Sequence, residues 1–215
     1  MSGTHVYPNQ EINKLFSEQK EMWGNPDEYS WELIKILWER AWSDNPRYDT
    51  ADPRVYLEKT PQAIYASDMY VEHFDNARFL ILIRNPYAVA EGMRRTIIAD
   101  VDIQRCIKHW IRCAQRQIYN YETYKDIAIQ ITYEELVGNP RDVEQKIRQF
   151  IPALHDIDFT KAAAAHSLEG MKPKPVTDFN ERQIKNLSAE DIATINQELA
   201  QVPEVMEHFG YQELR

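Results

Sequence analysis

Apolar residues follow two rhythms along this chain. Trp31, Ile34, Leu37, Trp38 and Trp42 recur three and four residues apart between Tyr29 and Trp42, which predicts an amphipathic helix. A weaker helical stretch runs from Gln10 to Trp23, in a polar segment broken by Pro8 and Pro26. Residues 43–53 (SDNPRYDTADP) read as a loop, and Val55 to Glu58 as a short strand ended by Lys59-Thr60-Pro61, with a helix following to Phe74. The rhythm then changes. Arg78 to Arg84 (RFLILIR) is continuously apolar between its arginines, the pattern of a strand buried on both faces in a parallel sheet. Asn85-Pro86 provides an N-cap and a first-turn proline, so a helix starts where the strand ends.

The alternation continues. Ile103, Ile107, Trp110, Ala114, Ile118 and Tyr121 line one face of a helix from Asp102 to Tyr124, and Ile127 to Thr132 (IAIQIT) predicts a second buried strand. Tyr133 to Val137 follow it, and Asn139-Pro140 opens another helix. Strands alternating with helices indicate an α/β fold with a parallel sheet. Residues 152–186 carry no period, with an alanine-rich patch at 162–165 and the turn-prone Lys172-Pro173-Lys174-Pro175. One final helix is predicted: Ser188 caps it, Asp191 closes the capping box, Leu187 and Ile192 form the staple, and Gly210 sits at its stop. The whole of 1–215 reads as a single domain, with a helical part to 53, a sheet core over 54–151 and a loop and helix over 152–215.

Composition narrows the function. The 215 residues include 25 Lys and Arg against 34 Asp and Glu, a net charge of −9, which argues against a protein whose affinity comes from phosphate backbones. Any anion site is therefore local, and no nucleic-acid partner is expected. No run approaches the roughly 18 apolar residues of a membrane span, and no hydrophobic signal core opens the chain, so a cytoplasmic protein without a membrane partner is expected. Cys106 and Cys113 are too few for a zinc cage and read as reduced helix cysteines. There are 6 glycines, none spaced to form GxGxxG or GxxxxGK[ST], so the usual glycine-rich phosphate cradle is missing.

Three residues stand where α/β sheets bind ligands. Arg84 leaves the carboxyl end of the strongest strand, facing the crevice beside a helix start whose free N–H groups would favour a phosphate. A salt-bridged strand end is the alternative. Lys59 also follows a strand, where it reaches the same crevice or is simply surface charge. Tyr133 follows the next strand, where it packs on a purine or covers the core.

These residues lie in an ordered set: Glu58-Lys59-Thr60-Pro61, FDNARFLILIRNPYAVAEGM (74–93), ITYEELVGNPRDVEQKIRQFI (131–151), a KPV step (174–176) and a terminal HFGY (208–211). The set resembles the sulfotransferase family, enzymes that use 3′-phosphoadenosine 5′-phosphosulfate, with its closest likeness to the tyrosylprotein-type and related bacterial members. The resemblance spans residues 54–211. It implies a P-loop-like three-layer fold, a parallel sheet flanked by helices, and transfer of a sulfuryl group to a hydroxyl or phenol on a small-molecule or peptidyl acceptor, without a metal. It also implies roles. Arg84 matches the arginine that holds the donor's 3′-phosphate, Lys59 a lysine near the transferring group, and Tyr133 a tyrosine beside the adenine. Glu11 resembles the glutamate that takes the acceptor's proton, its alternative being an exposed first-turn acid. Ser167, Lys174, Arg182 and Lys185 lie in the segment that supplies a loop over the donor.

Two departures stand out. The family's serine eight positions after the arginine, which gives a hydroxyl to the 3′-phosphate, is Gly92 here; Arg94 and Arg95 follow, and helix rotation lets one of them at most point correctly to compensate. The family's first strand and its [KR]SGTT loop for the 5′-phosphosulfate have no counterpart: Ser2-Gly3-Thr4 is preceded by no strand. The expectation is a fragment of a longer enzyme, or a homologue with altered catalysis that acts as a binding or interaction module. A missing first strand would also leave a hydrophobic sheet edge through which two copies pair. A nucleotide kinase of the same broad fold fits less well, since it needs a lysine-bearing glycine loop and a metal-binding acid.

Overall fold

A computed structural model of the chain describes residues 31–43, 55, 57, 59, 61–96, 101–160, 163–165, 172–174 and 176–214. These fall into two compact units, 1–77 and 78–215. The stretch expected to be helical between Gln10 and Trp23 lies outside the described residues.

In the first unit, α1 (Trp31–Ser43) forms as its periodicity predicts. A 3-10 turn (Pro61–Tyr65) and α2 (Ser67–His73) stand where one continuous helix was expected. Val55 and Leu57 carry no strand assignment, and Tyr56 and Glu58 lie outside the described residues. Trp31, Ile34 and Trp38 share one face of α1 and are buried with Ala66 against Met69, Tyr70 and Phe74. Trp31 stacks on His73 with ring centroids 4.6 Å apart, and Trp38 on Phe74 at 5.9 Å. Large aromatic areas buried this way dominate a small core. Leu37, expected on this face, is exposed.

The second unit is a mixed α/β body built on a strand–helix–strand crossover. Strand β1 (Phe79–Ile83) leads into α3 (Pro86–Thr96) and α4 (Ile103–Thr123), and the chain returns as β2 (Ala128–Thr132), parallel to β1 and in register from Phe79 beside Ala128 to Ile83 beside Thr132. Helices α5 (Tyr133–Gly138) and α6 (Pro140–Phe150) follow. Residues 152–186, read as irregular, contain a short antiparallel pair, β3 (Ala163–Ala165) and β4 (Lys172–Lys174), and a five-residue helix, α7 (Asn180–Ile184). The final helix is two, α8 (Ala189–Leu199) and α9 (Pro203–Phe209). Pro203 has no N–H to continue the first, so it opens the second instead. Gly210 then adopts φ 70°, the left-handed stop for which glycine is suited.

Helix α4 is the centre of this body. Its Ile103, Cys106, Ile107, Trp110 and Ala114 are buried with Ile83, Tyr87 and Ala90 on one side and Ile195, Leu199, Val205, Met206 and Phe209 on the other. It also serves the sheet edge directly. Phe79 N donates to Ile127 O, so the odd-numbered residues of β1 face β2, while the carbonyls of Leu82 and Arg84 accept from Gln117 Nε2 (3.1 Å) and Trp110 Nε1 (2.9 Å) of α4.

A second cluster, Ile131, Val143 and Ile147, fixes α6 against β2. That helix does not extend cover to β1: Leu80 and Leu82 are 37% and 51% exposed, so β1 alternates instead of being buried on both faces as its sequence suggested. Tyr87, fully buried, pins the carboxyl terminus. Its hydroxyl meets Asn196 and accepts from Leu214 N at 3.0 Å, and burial raises its pKa.

The capping box at α8 is doubled by an ion pair. Ser188 Oγ accepts from Asp191 N (3.1 Å), Asp191 Oδ2 accepts from Ser188 N (2.9 Å), and Arg94 forks onto both Asp191 oxygens at 2.6 and 3.0 Å. Hydrogen bonding to Arg94 holds the Asp191 carboxyl below its usual range. A depressed carboxyl pKa stabilises the fold above the unfolded value, about 3.9, and the contribution is lost as pH falls through the folded value. Asp191→Asn, which keeps the cap acceptor, should cost about 1 kcal/mol near neutrality. The melting-temperature gap to the parent protein should close as pH is lowered beneath the ordinary aspartate value, about 3.9; a gap independent of pH would contradict this.

Candidate functional site

The carboxyl end of β1 places Arg84 at the head of α3. Its carbonyl is held by Trp110, and its half-buried guanidinium is clamped on three sides. Nε donates to Asn180 Oδ1 at 2.7 Å, Nη2 donates to Gln183 Oε1, and the charged carbon lies 4.2 Å from the centroid of the Tyr133 ring. Asn180 and Gln183 lie three apart on α7, on one helical face, and both are buried. All these partners are neutral. No ion pair joins Arg84 to a carboxylate among the described residues, so it is not a salt-bridged strand end.

Tyr133 opens α5 at the end of β2. Its hydroxyl accepts from Phe179 N (3.0 Å) and donates to Thr177 O (2.7 Å), tying the segment ahead of α7 to the sheet. Glu134, next to it, joins three parts of the unit. Oε1 accepts from Asn85 N (3.0 Å) and Asn180 Nδ2 (2.5 Å), and Oε2 from Tyr211 Oη (2.8 Å). Burial first, and the bond to Glu134 second, raise the Tyr211 phenol far above its usual range, so it remains a donor.

The helix start beside Arg84 differs from expectation. Asn85 Oδ1 accepts from Tyr87 N (3.0 Å) and Ala88 N (3.2 Å), Val89 N donates to Asn85 O, Pro86 has no N–H, and Asn85 N is taken by Glu134. The free N–H groups read from the sequence are therefore all in use, because the asparagine chosen as N-cap consumes them. Arg94 and Arg95 do not compensate for Gly92 either: Arg94 is committed to Asp191, and Arg95 Nε donates to Glu91 at 3.2 Å. Gly92 instead adjoins α7. A Cβ built there would stand 2.7 Å from Gln183 Nε2.

Arg84, Tyr133 and Gly92 are thus gathered around α7. Arg182 lies on that helix and Lys185 caps its carboxyl end; both are exposed, Lys185 paired with Glu181 at 2.5 Å. Lys59 is exposed in the first unit. The backbone of Lys174 is in β4, its side chain lies outside the described residues, and so do Glu11 and Ser167. Glu134, Asn180 and Gln183 were missed by sequence reasoning. The adjacency of Glu134 to Tyr133 was an available signal for the first. Two amides three apart in an aperiodic stretch gave no comparable one. Among the described residues no cluster of His, Cys, Asp or Glu is built to hold a metal, and no helix is long and apolar enough to cross a membrane.

A model of the sulfotransferase family matches residues 10–153. Among solved structures, the sulfotransferase domain from the curacin biosynthetic pathway superposes with a TM-score of 0.55 at 18% identity, over 86% of this chain and 69% of that one, a likeness of fold. No protein of curated function matches.

Removing Glu134 orphans three donors at once, whereas removing the Tyr211 hydroxyl loses one bond. Glu134→Ala should cost about 3 kcal/mol and Tyr211→Phe about 1 kcal/mol in urea unfolding; equal costs would deny Glu134 its central place.

Proposed function

Because this chain belongs to the sulfotransferase family, we propose that it moves a sulfuryl group from 3′-phosphoadenosine 5′-phosphosulfate to a hydroxyl or phenol of a small-molecule or peptidyl acceptor. The acceptor oxygen attacks sulfur in line as the bond from sulfur to the 5′-phosphate oxygen breaks. The acceptor's proton passes to the Glu11 carboxylate, and the bonding electrons leave with adenosine 3′,5′-bisphosphate. Little covalent work falls to the protein in such a transfer, and its task is positioning and charge stabilisation. In this reading Lys59 offsets charge that builds near the transferring group, Arg84 holds the 3′-phosphate and Tyr133 lies beside the adenine. The segment bearing Ser167, Lys174, Arg182 and Lys185 covers the donor.

The observation that supports the reading best is the state of Arg84. A guanidinium held by neutral amides and an aromatic face has its fork oriented and its charge uncompensated, and both Nη1 hydrogens and one on Nη2 are free of the bonds to Asn180 and Gln183. A phosphate that completes it forms charge-assisted bonds worth about 1.5–3 kcal/mol each.

Calorimetric titration with adenosine 3′,5′-bisphosphate should give saturable binding. Arg84→Lys, which keeps the charge but loses the fork, should weaken it at least about tenfold. Absence of binding at millimolar nucleotide would overturn the proposal, and binding without transfer of labelled sulfate to any hydroxyl acceptor would make the protein a binding module instead.

A further inference from the structure

We propose that Gln183 is the second 3′-phosphate ligand of this protein, its amide reaching across the open side of Gly92 to the place where a serine would otherwise present its hydroxyl. The inference rests on the reading of Arg84 as the 3′-phosphate arginine, and three observations carry it further.

The first is volume. A Cβ at position 92 would lie 2.7 Å from Gln183 Nε2, closer than side-chain atoms tolerate. A serine at 92 would therefore push the Gln183 amide aside, and the chain carries the glycine that admits the amide where it stands. The second is orientation. Gln183 Oε1 accepts from Arg84 Nη2, so the amide is held beside the guanidinium with its Nε2 hydrogens turned to the Gly92 side. Gln183 is only 9% exposed, and no acceptor among the described residues engages that Nε2. That nitrogen is thus open to an anion seated on Arg84, which would accept from it. The third is elimination. Asn180 spends its oxygen on Arg84 and its nitrogen on Glu134, Arg94 is held by Asp191, Arg95 by Glu91, and the N–H groups of the α3 start by Asn85. Of these donors, the Gln183 amide nitrogen is the one that no bond among the described residues engages.

The measurement is the ratio of affinities for adenosine 3′,5′-bisphosphate and adenosine 5′-monophosphate, by calorimetry, which isolates the 3′-phosphate. Gln183→Ala should reduce that ratio about tenfold while leaving the affinity for the monophosphate unchanged. Gln183→Glu keeps an acceptor for Arg84 but removes the donor, and should reduce the ratio further. Adding Gly92→Ser to Gln183→Ala puts a hydroxyl into the vacated space and should restore most of it, a rescue that a merely structural glutamine would not show. An unchanged ratio in both Gln183 variants, or equal loss for the two nucleotides, would overturn the role of Gln183 while leaving Arg84 in place. A parent protein with no preference for the bisphosphate would overturn the reading of Arg84 and this inference with it.

Discussion

The site hangs on one carboxylate. Glu134 takes hydrogen bonds from the backbone at the head of α3, from Asn180 on α7 and from Tyr211 beyond α9, three pieces of chain that are distant in sequence. A half-buried carboxylate with both oxygens engaged by donors from three segments ties those segments to one another. Asn180 passes the constraint to Arg84: its nitrogen is fixed on Glu134, which turns its oxygen to the guanidinium. Negative charge thus orients Arg84 without pairing with it. Direct contact with Glu134 would have cancelled the charge that an anion needs.

The elements were legible where one physical signal sufficed. The crossover from β1 through α4 to β2 and the capping box at Ser188 followed from periodicity and caps, because burial and local hydrogen bonding leave marks at fixed spacing. What failed depended on neighbours. RFLILIR looks buried on both faces, yet Leu80 and Leu82 are exposed, since α6 covers only β2 on that side. Pro203 splits the last helix because a proline within a helical pattern opens a new helix as readily as it kinks an old one.

The candidate site was legible in Arg84 and Tyr133 and opaque in Glu134 and the two amides. Arg84 and Tyr133 stand at strand ends, where topology assigns a ligand side to any residue. Asn180 and Gln183 lie in a stretch with no period, and a neutral amide shows its purpose only when its two ends are seen to face different partners. The helix start misled for the same reason. An asparagine before a proline is read as a helix signal and an anion site together, but the cap that makes the helix uses the N–H groups the anion would have needed.

The scarcity of glycine has a local counterpart at the head of α3. Backbone cradles need glycine, since only bare N–H groups in unusual conformations surround a phosphate closely. At the head of α3 the backbone donors are consumed by Asn85 and Glu134, so an anion beside Arg84 is met there by side chains, and side chains place no demand on glycine. Gly92 is the exception that fits the rule. It sits within a regular helix and offers no special backbone geometry, but its missing Cβ leaves the space that the Gln183 amide borders. A glycine acting as a hole rather than a hinge has no motif around it, and its meaning appears only with the residue opposite.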